Sequence, residues 1–238
     1  MSMNTSADDL KRMAAEASVQ HVRDGQIVGL GTGSTARHMI KALGERVRKG
    51  LAIKGVPTSR ETAELAAQAG IPLLELDGAW QIDVAIDGAD QVDPQLNLIK
   101  GGGGALLREK IVAAASRRLI VVVDESKLVP VLGNTFPLPI EVATFGWRST
   151  AQQVEQAAGA GAKAQRREKN GEPFRTEAGH YILDLHLDRI AEPAALEARL
   201  NLIPGVVETG LFVGRTALLI VGTSRGVETR QASRRAGR

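Results

Sequence analysis

The sequence contains no cysteine among its 238 residues, which excludes disulfides, thiolate nucleophiles and zinc–cysteine sites. The same absence fits a reducing compartment, so we expect a cytoplasmic protein. Aromatic residues make up only 3% of the chain, which disfavours a surface for stacking nucleic acid bases. No apolar run has the length of a transmembrane helix, and the N-terminus has no apolar stretch like that of a signal peptide. We therefore expect no nucleic acid and no membrane as partner.

Positive charge is only slightly in excess, with a formal net charge of +3. Much of the excess comes from arginines in the last fourteen residues, in a stretch poor in apolar side chains: Arg225, Arg230, Arg234, Arg235 and Arg238. Such a stretch is typical of a solvated segment rather than of a nucleic acid site. It predicts a basic, solvated tail over the last fourteen residues.

Histidine is scarce, with four in the chain, and none lies in the glycine-rich segments described below. His180 and His186 alternate with apolar residues, so they share one strand face with Asp184. A metal site there is an alternative, but the outer face of an antiparallel sheet is the favoured interpretation. A base acting at the glycine-rich segments is therefore expected to be a carboxylate, and no metal is expected.

Up to residue 132 the chain alternates between helical and strand-like patterns. The predicted helices are 6–23, Ser34–Leu43, Ser59–Ala69 and Ala105–Ser116, and the predicted strands are Ile27–Gly31, Leu51–Val56, Leu73–Leu76, Ile82–Asp87 and Leu119–Val123. This alternation indicates parallel βαβ units whose sheet is covered on both faces. The expected fold class is α/β, with an open, mostly parallel Rossmann-like sheet and helices on both faces.

After Leu132 the pattern changes to short strands mixed with two helices. This predicts a smaller α+β domain, inserted before a strand at Thr216–Val221 that can rejoin the first sheet. The predicted division is an α/β catalytic domain over residues 1–133 and 213–238, with the basic tail at its end, and a small α+β domain over residues 134–212.

A glycine-rich segment, Gly29-Leu30-Gly31-Thr32-Gly33-Ser34-Thr35, follows the first strand. Glycines let the backbone approach a ligand closely, and the free N–H groups at a helix start attract anions. The alternative is an ordinary tight turn in which Ser34 caps the helix. The segment also fits the loose dinucleotide fingerprint, but the second strand ends without the acid that would hold a ribose.

Two carboxylates lie in the run Asp87-Gly88-Ala89-Asp90, directly after a predicted buried strand. An Asp-Gly pair is often a turn that hydrogen-bonds to its own backbone. However, the carboxyl ends of strands are where open α/β sheets bind their ligands. Both interpretations remain open at this point.

Lys100 precedes four glycines, Gly101–Gly104, and a helical pattern that carries Glu109 begins at once. Because helix-forming residues follow directly, a turn of bare amides is favoured over a flexible linker. Glu109 is expected in the second helical turn, and composition alone makes it an exposed acid paired with a neighbour. The acids, the lysine and the bare amides are the groups needed to hold a small anionic substrate and move its protons.

In this order the motifs resemble ribose-5-phosphate isomerase type A, over nearly the whole chain from Leu10 to about Gly222. The matching segments are Gly29–Ala36, Gly55–Ser59, Asp87–Asp90, Leu98–Leu106, Arg108–Lys110, Val123–Lys127 and Ile203–Gly210. Each segment alone is a modest indicator, whereas the ordered set is highly specific.

The resemblance implies interconversion of ribose 5-phosphate and ribulose 5-phosphate in the non-oxidative branch of the pentose phosphate pathway. It also implies a sugar phosphate as partner, a homodimer, and no metal or cofactor. By the same resemblance Glu109 is the proton acceptor, and the substrate-binding positions are Thr32, Gly33, Ser34, Thr35, Asp87, Gly88, Ala89, Asp90, Lys100, Gly101, Gly102, Gly103 and Lys127. Lys11 also matches a family lysine near the active site.

Isomerisation passes through an enediolate, and one base can serve both carbons if it reaches both. We expect Lys100 and the glycine amides to stabilise the oxyanion. Asp87 is expected to move hydroxyl protons and help open the sugar ring, while Asp90 positions the substrate. Either the first glycine-rich loop or nearby lysines can hold the phosphate.

Two positions depart from the family pattern. The family usually has Glu after Asp-Gly-Ala-Asp, where this chain has Gln91, and its Thr-Asp-Asn-Gly-Asn is replaced by Thr176-Glu177-Ala178-Gly179-His180. The second departure lies in the predicted small domain, so we expect it to affect shape or the dimer more than chemistry.

Two other functions compete with this interpretation. The first is another sugar-phosphate isomerase or a transferase of the same general fold, of which the glucosamine-phosphate isomerases would lack the context of Lys100–Gly104. A regulator that senses sugar phosphates would need a DNA-binding helix-turn-helix, and we expect no room for one before the first helix.

Overall fold

The computed structural model describes residues 6–75, 77 and 79–232. The helices are α1 (Ala7–Ser18), α2 (Ser34–Arg48), α3 (Arg60–Gln68), α4 (Leu106–Ala114), α5 (Trp147–Ala158) and α6 (Pro193–Asn201). The strands are β1 (Ile27–Leu30), β2 (Lys54–Pro57), β3 (Val84–Asp87), β4 (Gln91–Val92), β5 (Leu98–Ile99), β6 (Leu119–Asp124), β7 (Leu138–Val142), β8 (Lys163–Arg166), β9 (Glu168–Lys169), β10 (Glu172–Pro173), β11 (Tyr181–His186), β12 (Val206–Thr209), β13 (Leu211–Phe212), β14 (Thr216–Thr223) and β15 (Gly226–Gln231).

The chain divides into two compact units. The first unit contains the chain up to Gly88, the segment Ile111–Lys127 and the chain from Arg215, and the second contains Ala89–Lys110 and Leu128–Gly214. The second unit thus contains Ala89–Lys110 in addition to the later segment. The division into domains at residues 134 and 212 stays a prediction.

The first unit is built on a six-stranded sheet with the order β15-β14-β6-β3-β1-β2. All neighbours pair in parallel except β15, which is antiparallel to β14. Numbered along the chain, the five parallel strands have the order 2-1-3-4-5 that is typical of doubly wound sheets. The predicted α/β fold with a mostly parallel sheet is confirmed, and β14 rejoins the sheet as expected.

Helices cover both faces of this sheet. Val28 and Leu30 of β1 pack in one core with apolar residues of α1, α2 and α3. Gly29 lies between them and faces the other way, where a Cβ would come within 2.6 Å of Val112 in α4. Successive strand residues point to opposite faces, so α4 covers the face opposite to the first three helices.

The strand order reverses between β1 and β3, and ligands of such sheets bind outside the carboxyl ends of the strands at this point. β1 ends at Leu30, directly before the loop Gly31–Gly33, and β3 ends at Asp87. The sheet topology therefore places the first glycine-rich loop beside the first acid.

The C-terminal segment differs from its predicted form. Residues Gly226–Gln231 have mostly exposed side chains, as a solvated segment predicts, but their backbone forms β15, which pairs in continuous antiparallel register with β14 rather than ending the chain as a free tail. Charged side chains are compatible with an edge strand, because one side of the strand faces solvent. Arg234, Arg235 and Arg238 lie outside the described residues.

The predicted strand Leu73–Leu76 is also different. Leu73 makes an isolated parallel bridge to Gly55, and the segment forms no regular strand there. Leu76 lies outside the described residues. Similarly, the second strand is shorter than predicted, since β2 begins at Lys54 rather than at Leu51.

The second unit combines antiparallel sheets with two helices. Its sheets have the orders β12-β7-β11-β8 and β13-β5-β4, and β9 pairs with β10. Val154 of α5 and Leu196 and Leu200 of α6 join the core formed by the four-stranded sheet. This composition confirms the predicted α+β character. Over the described ranges, no helix is both long and apolar enough to span a membrane.

Candidate active site

The first unit holds a loop with an exposed helix start. α2 begins at Ser34, and Gly33 at its N-cap has a φ of 104°, a conformation that favours glycine. No side chain caps this helix, so the alternative in which Ser34 is the cap is wrong. The amides of the first helical turn are therefore available to attract an anion. Gly33 and Ser34 are both exposed.

A cluster of hydroxyl groups from Thr58, Ser59 and Thr62 holds this loop in place. Thr32 Oγ1 lies 2.7 Å from Thr58 Oγ1, 3.0 Å from Ser59 Oγ and 3.2 Å from Thr62 Oγ1. Thr62 Oγ1 in turn donates to the carbonyl oxygen of Gly31 at 2.9 Å. The Thr32 hydroxyl thus fixes the loop. Sequence reasoning matched the segment containing Thr58 and Ser59 to the family but did not predict this role.

Asp87 is buried at the end of β3 and contacts the same loop. Its Oδ1 accepts hydrogen bonds from the amides of Gly88 at 2.8 Å and Thr32 at 3.2 Å. A Cβ at Gly31 would lie 2.1 Å from Asp87 Oδ1, so only glycine permits this approach. Asp87 therefore binds its own turn, as the first interpretation predicts, and it lies at the carboxyl end of β3, while ligand binding there stays a prediction.

Two predicted lysines lie at the same edge of the sheet. Lys127 ends the short helical turn after β6, the strand next to β3, and it is half-buried. Lys11 in α1 is also half-buried. Its neighbour Leu10 approaches β14 near the carboxyl end of that strand, where a Cβ at Gly222 would meet the Leu10 carbonyl oxygen at 2.0 Å. The first unit therefore collects a loop of amides, a buried acid and two lysines.

The second unit holds a buried acid–base pair. Lys100 and Glu109 are 3% and 6% exposed, and Lys100 Nζ lies 3.3 Å from Glu109 Oε2. The Lys100 amide donates to the Gly210 carbonyl, which fixes the lysine at the end of β5. Glu109 lies in the first turn of α4, one turn earlier than predicted, because the helix begins at Leu106. The composition-based interpretation of Glu109 as an exposed acid is wrong.

The four glycines after Lys100 form an ordered turn. Gly101 and Gly104 have φ values of 103° and 85°, and a Cβ at either would come within 3 Å of a neighbouring side chain. Asp90 accepts a hydrogen bond from the Gly102 amide at 2.8 Å. The linker interpretation is therefore excluded, and Asp90 supports this turn. The run Asp87–Asp90 crosses from one unit to the other, since Gly88 closes the first segment and Ala89 opens the next.

Gln91, the first departure from the family pattern, is buried and fully used. Its Oε1 accepts from the Gly133 amide at 2.7 Å, while its Nε2 donates to Thr135 Oγ1 at 2.7 Å and to Asn134 Oδ1 at 3.3 Å. A carboxylate could not donate these last two bonds. Gln91 therefore matches its surroundings and supports the loop at residues 133–135.

The second departure contacts the helix that carries Glu109. Glu177 forms an ion pair with Arg108, the neighbour of Glu109 in α4. His180 Nδ1 lies 2.9 Å from the buried carboxylate of Glu141, which also accepts from Thr176 Oγ1 at 2.8 Å. We expected this segment to affect shape more than chemistry, and its contact with α4 places it nearer the candidate base.

The sheet topology and these side chains are typical of α/β enzymes that bind a small anionic substrate and transfer protons. A family model described as ribose 5-phosphate isomerase A (phosphoriboisomerase A) matches residues 54–226. The chain belongs to this family.

Individual relatives agree with this assignment. The ribose-5-phosphate isomerase A of Parvibaculum lavamentivorans is 51% identical over 230 residues, covering 95% of this chain and 99% of the relative. The solved structure of ribose 5-phosphate isomerase A from Methanocaldococcus jannaschii has a TM-score of 0.89 and 41% identity, covering 95% of this chain and all of that one. A solved D-ribose-5-phosphate isomerase in complex with phospho-erythronic acid has a TM-score of 0.90 and 41% identity, covering 95% and 99% of the two chains.

Proposed function

We propose that this chain interconverts ribose 5-phosphate and ribulose 5-phosphate through an enediolate, with Glu109 as the base. The reaction follows from membership of the isomerase family, which also assigns the chain to the pentose phosphate pathway. The observation that carries the residue assignment is the buried Lys100–Glu109 pair, 3.3 Å apart, beside an ordered turn of glycine amides.

The proposed proton transfer uses one carboxylate twice. Glu109 takes the proton from C2 of the open-chain aldose and returns it to C1, while the electron pair moves onto the carbonyl oxygen and back. Lys100 stabilises the negative charge on that oxygen, and the amide of Gly103 provides an additional donor. Asp87 moves the proton between the two hydroxyl oxygens and assists ring opening. Burial favours this arrangement, because electrostatic interactions are stronger away from water.

The remaining substrate contacts are proposed from the family match and from placement in the fold. The amides and hydroxyls of Thr32 to Thr35 lie at a helix start, where anions are stabilised. Lys127 and Lys11 add positive charge at the same edge of the first sheet. The backbone of Gly88 and Ala89, the Asp90 carboxylate and the turn Gly101–Gly103 complete the proposed binding residues.

We also infer a homodimer in the cytoplasm, as the family resemblance implies. Two large apolar side chains of the second unit are strongly exposed, Phe145 at 93% and Leu202 at 82%. Their segments are neighbours, because the Ala143 amide donates to the Gly205 carbonyl at 2.8 Å. A second copy of the chain covering these side chains would explain their exposure. A dimer that dissociates in the double variant Phe145→Ser, Leu202→Ser would support this surface.

The direct test is an isomerase assay on the purified chain with ribose 5-phosphate, without added metal and with a chelator present. We expect ribulose 5-phosphate to form at the same rate with and without EDTA, because the proposed steps use only side chains and amides. Loss of activity with EDTA that one divalent ion restores would contradict the cofactor-free mechanism. Absence of turnover under every condition would contradict the proposed reaction.

A further inference from the structure

The glycine turn after Lys100 has fixed ends and an open middle. A Cβ at Gly101 would lie 2.8 Å from Leu106, and one at Gly104 would lie 2.5 Å from Phe174, so both ends are tightly packed. Gly102 and Gly103 are exposed, and a Cβ at Gly103 would meet nothing within 4 Å. The Gly104 amide closes the turn on the Gly101 carbonyl at 3.0 Å, and Asp90 holds the Gly102 amide at 2.8 Å. Because exposed glycines have wide conformational freedom, the orientation of the peptide between Gly102 and Gly103 depends on a further contact.

Arg167 makes that contact from a distant part of the sequence. Its Nη1 donates to the carbonyl oxygens of Gly101 at 2.8 Å and of Gly102 at 3.0 Å. The other side of the guanidinium is held by Asp184, with Nε 2.9 Å from Oδ2 and Nη2 2.5 Å from Oδ1. This is the bidentate geometry that gives an arginine–carboxylate pair both strength and a fixed direction.

The backbone of Arg167 is fixed as well. Its amide donates to the Ile182 carbonyl at 2.8 Å, and its carbonyl accepts from the Phe174 amide at 2.9 Å. The side chains of Arg167 and Asp184 are only 15% and 18% exposed. The guanidinium is therefore anchored before it reaches the turn, and it can impose an orientation on the two carbonyls.

The two hydrogen bonds to carbonyls determine where the next amides point. In a trans peptide the C=O and N–H bonds are directed to opposite sides. The peptide group that joins Gly101 to Gly102 directs its carbonyl oxygen to Arg167, so its N–H points toward Asp90, which accepts it at 2.8 Å. With the Gly102 carbonyl on Arg167, the Gly103 N–H points away from the guanidinium. The positive charge also polarises both peptides, which makes their N–H groups better donors.

We propose that Arg167, held by Asp184, is a positioning residue that orients the Gly103 amide toward the oxyanion of the enediolate. This inference rests on the proposed isomerase function. Arg167 acts through the turn and does not itself touch the substrate. Its importance follows from the general rule that oxyanion donors accelerate a reaction when their orientation is set in advance.

The chain supplies a matched control in the preceding residue. Arg166 forms its own ion pair with Glu168 at 3.2 Å and stacks over Trp147 at 4.8 Å. Arg166→Met therefore removes a partly buried arginine and a salt bridge from the same strand end without touching the glycine turn. A merely structural role for Arg167 predicts the same behaviour for Arg166→Met and Arg167→Met.

The experiment compares kcat and KM for ribose 5-phosphate, the inhibition constant of phospho-erythronic acid, and thermal unfolding. We expect Arg167→Met to lower kcat/KM roughly 10- to 100-fold, less than complete loss of an oxyanion donor, because the Gly103 amide is misdirected rather than removed. Most of the loss should lie in kcat, and the inhibition constant should rise by a similar factor, since the acid carries negative charge where the oxyanion develops. Arg167→Lys should recover part of the loss, because an ammonium can bind one carbonyl but cannot form the fork.

Arg166→Met should stay within about twofold of the wild type in every kinetic constant, on the scale of ordinary surface changes. Wild-type kcat/KM and inhibition in a folded Arg167→Met would overturn the inference, and so would equal losses in the two arginine variants. If Arg167→Met does not fold, Asp184→Asn is measured instead. A loss in kcat smaller than the one expected for Arg167→Met supports the positioning role, and unchanged kinetics overturn it. An inactive wild-type chain would instead contradict the proposed function, so the two failures are distinguishable.

Discussion

Two lysines in the second unit, Lys100 and Lys110, are both almost fully buried and both lie over the ring of Phe212, at 5.5 and 4.9 Å from its centroid. Their carboxylate partners differ. Lys110 Nζ lies 2.8 Å from Glu208 and 3.0 Å from Glu197, and Thr209 Oγ1 is 3.5 Å away. Lys100 Nζ lies 3.3 Å from the Glu109 carboxylate.

We interpret Lys110 as the centre of a structural ion cluster, whereas Lys100 and Glu109 are the pair proposed above to carry the reaction. An ammonium has three donors, and the three contacts of Lys110 use all of them. The Lys100–Glu109 distance exceeds the ~2.7–2.9 Å of strong charge-assisted hydrogen bonds. The comparison therefore predicts that substitutions at the two lysines affect different properties, one the rate and the other the stability.

The largest effect is expected from Glu109→Gln. The amide keeps the shape of the side chain but cannot accept the carbon-bound proton, so kcat should fall by roughly 10²–10⁴-fold with a smaller change in KM. Steady-state kinetics with ribose 5-phosphate measure this change. Glu197→Gln is the matched control, since it alters a carboxylate of the Lys110 cluster and should leave kcat close to that of the wild type. Near-normal turnover in Glu109→Gln would remove Glu109 from the mechanism.

The next effect is expected from Lys100→Met, which removes the charge and keeps much of the volume. The lost stabilisation of the oxyanion should be on the order of 2.7–4 kcal/mol, by comparison with removal of one oxyanion donor. Much of it should appear in kcat, because the charge develops only during the reaction. The measurement combines kcat, KM and thermal unfolding. A change confined to KM would make Lys100 a ground-state binding group, and an unfolded variant would make it structural.

Lys110→Met should have the opposite profile, with the main loss in stability. Removing one partner of a buried ion pair costs about 3–5 kcal/mol, and partial exposure of Glu197 and Glu208 puts this case at the lower end. Urea unfolding measures the loss, and kcat of the folded fraction should stay within a few-fold of the wild type. A stable Lys110→Met variant with strongly reduced kcat would contradict the comparison between the two lysines.

The smallest effect is a pH dependence of the free energy of unfolding that comes from His21 in the first unit and from neither lysine. Partial burial, and then the charge of Arg118, lower the pKa of His21. Below the unfolded-state pKa of about 6.5 the unfolded chain therefore binds more protons, so the free energy of unfolding decreases as pH falls through that window. The ring is largely exposed, so the change should be well below 1 kcal/mol. His21→Gln should lose this contribution when unfolding is compared at two pH values, and an unchanged slope would contradict it.

The sequence predicts those parts of the site that depend on local backbone chemistry. A strand end followed by glycines is enough to place Thr32–Thr35, and the buried run before Asp87 is enough to place that acid at the sheet edge. The supporting contacts were not predicted because they join distant segments. Arg167 binds a carbonyl 66 residues away, and no local pattern around it marks that partner. The Lys110 cluster spans 98 residues to Glu208 for the same reason.

Besides contacts between distant segments, the burial of a side chain could not be predicted from composition. Glu109 resembles an ordinary surface acid in a sequence rich in charged neighbours, yet it is 6% exposed. In the C-terminal segment the arginines correctly suggested exposed side chains, but they gave no sign that the backbone pairs with β14. In both cases the decisive information is the position of the segment relative to a sheet.

The pairing of β15 with β14 has a consequence for solubility. β14 is largely buried and reads Thr-Ala-Leu-Leu-Ile-Val-Gly-Thr, an uncharged run rich in β-branched residues. Without β15, its unpaired backbone groups would form an open edge, and such a sequence is a ready template for intermolecular β-aggregation. The last strand instead presents Glu228 and Arg230 at the edge of the sheet. These charges protect the apolar centre of the first unit from self-association between copies of the chain.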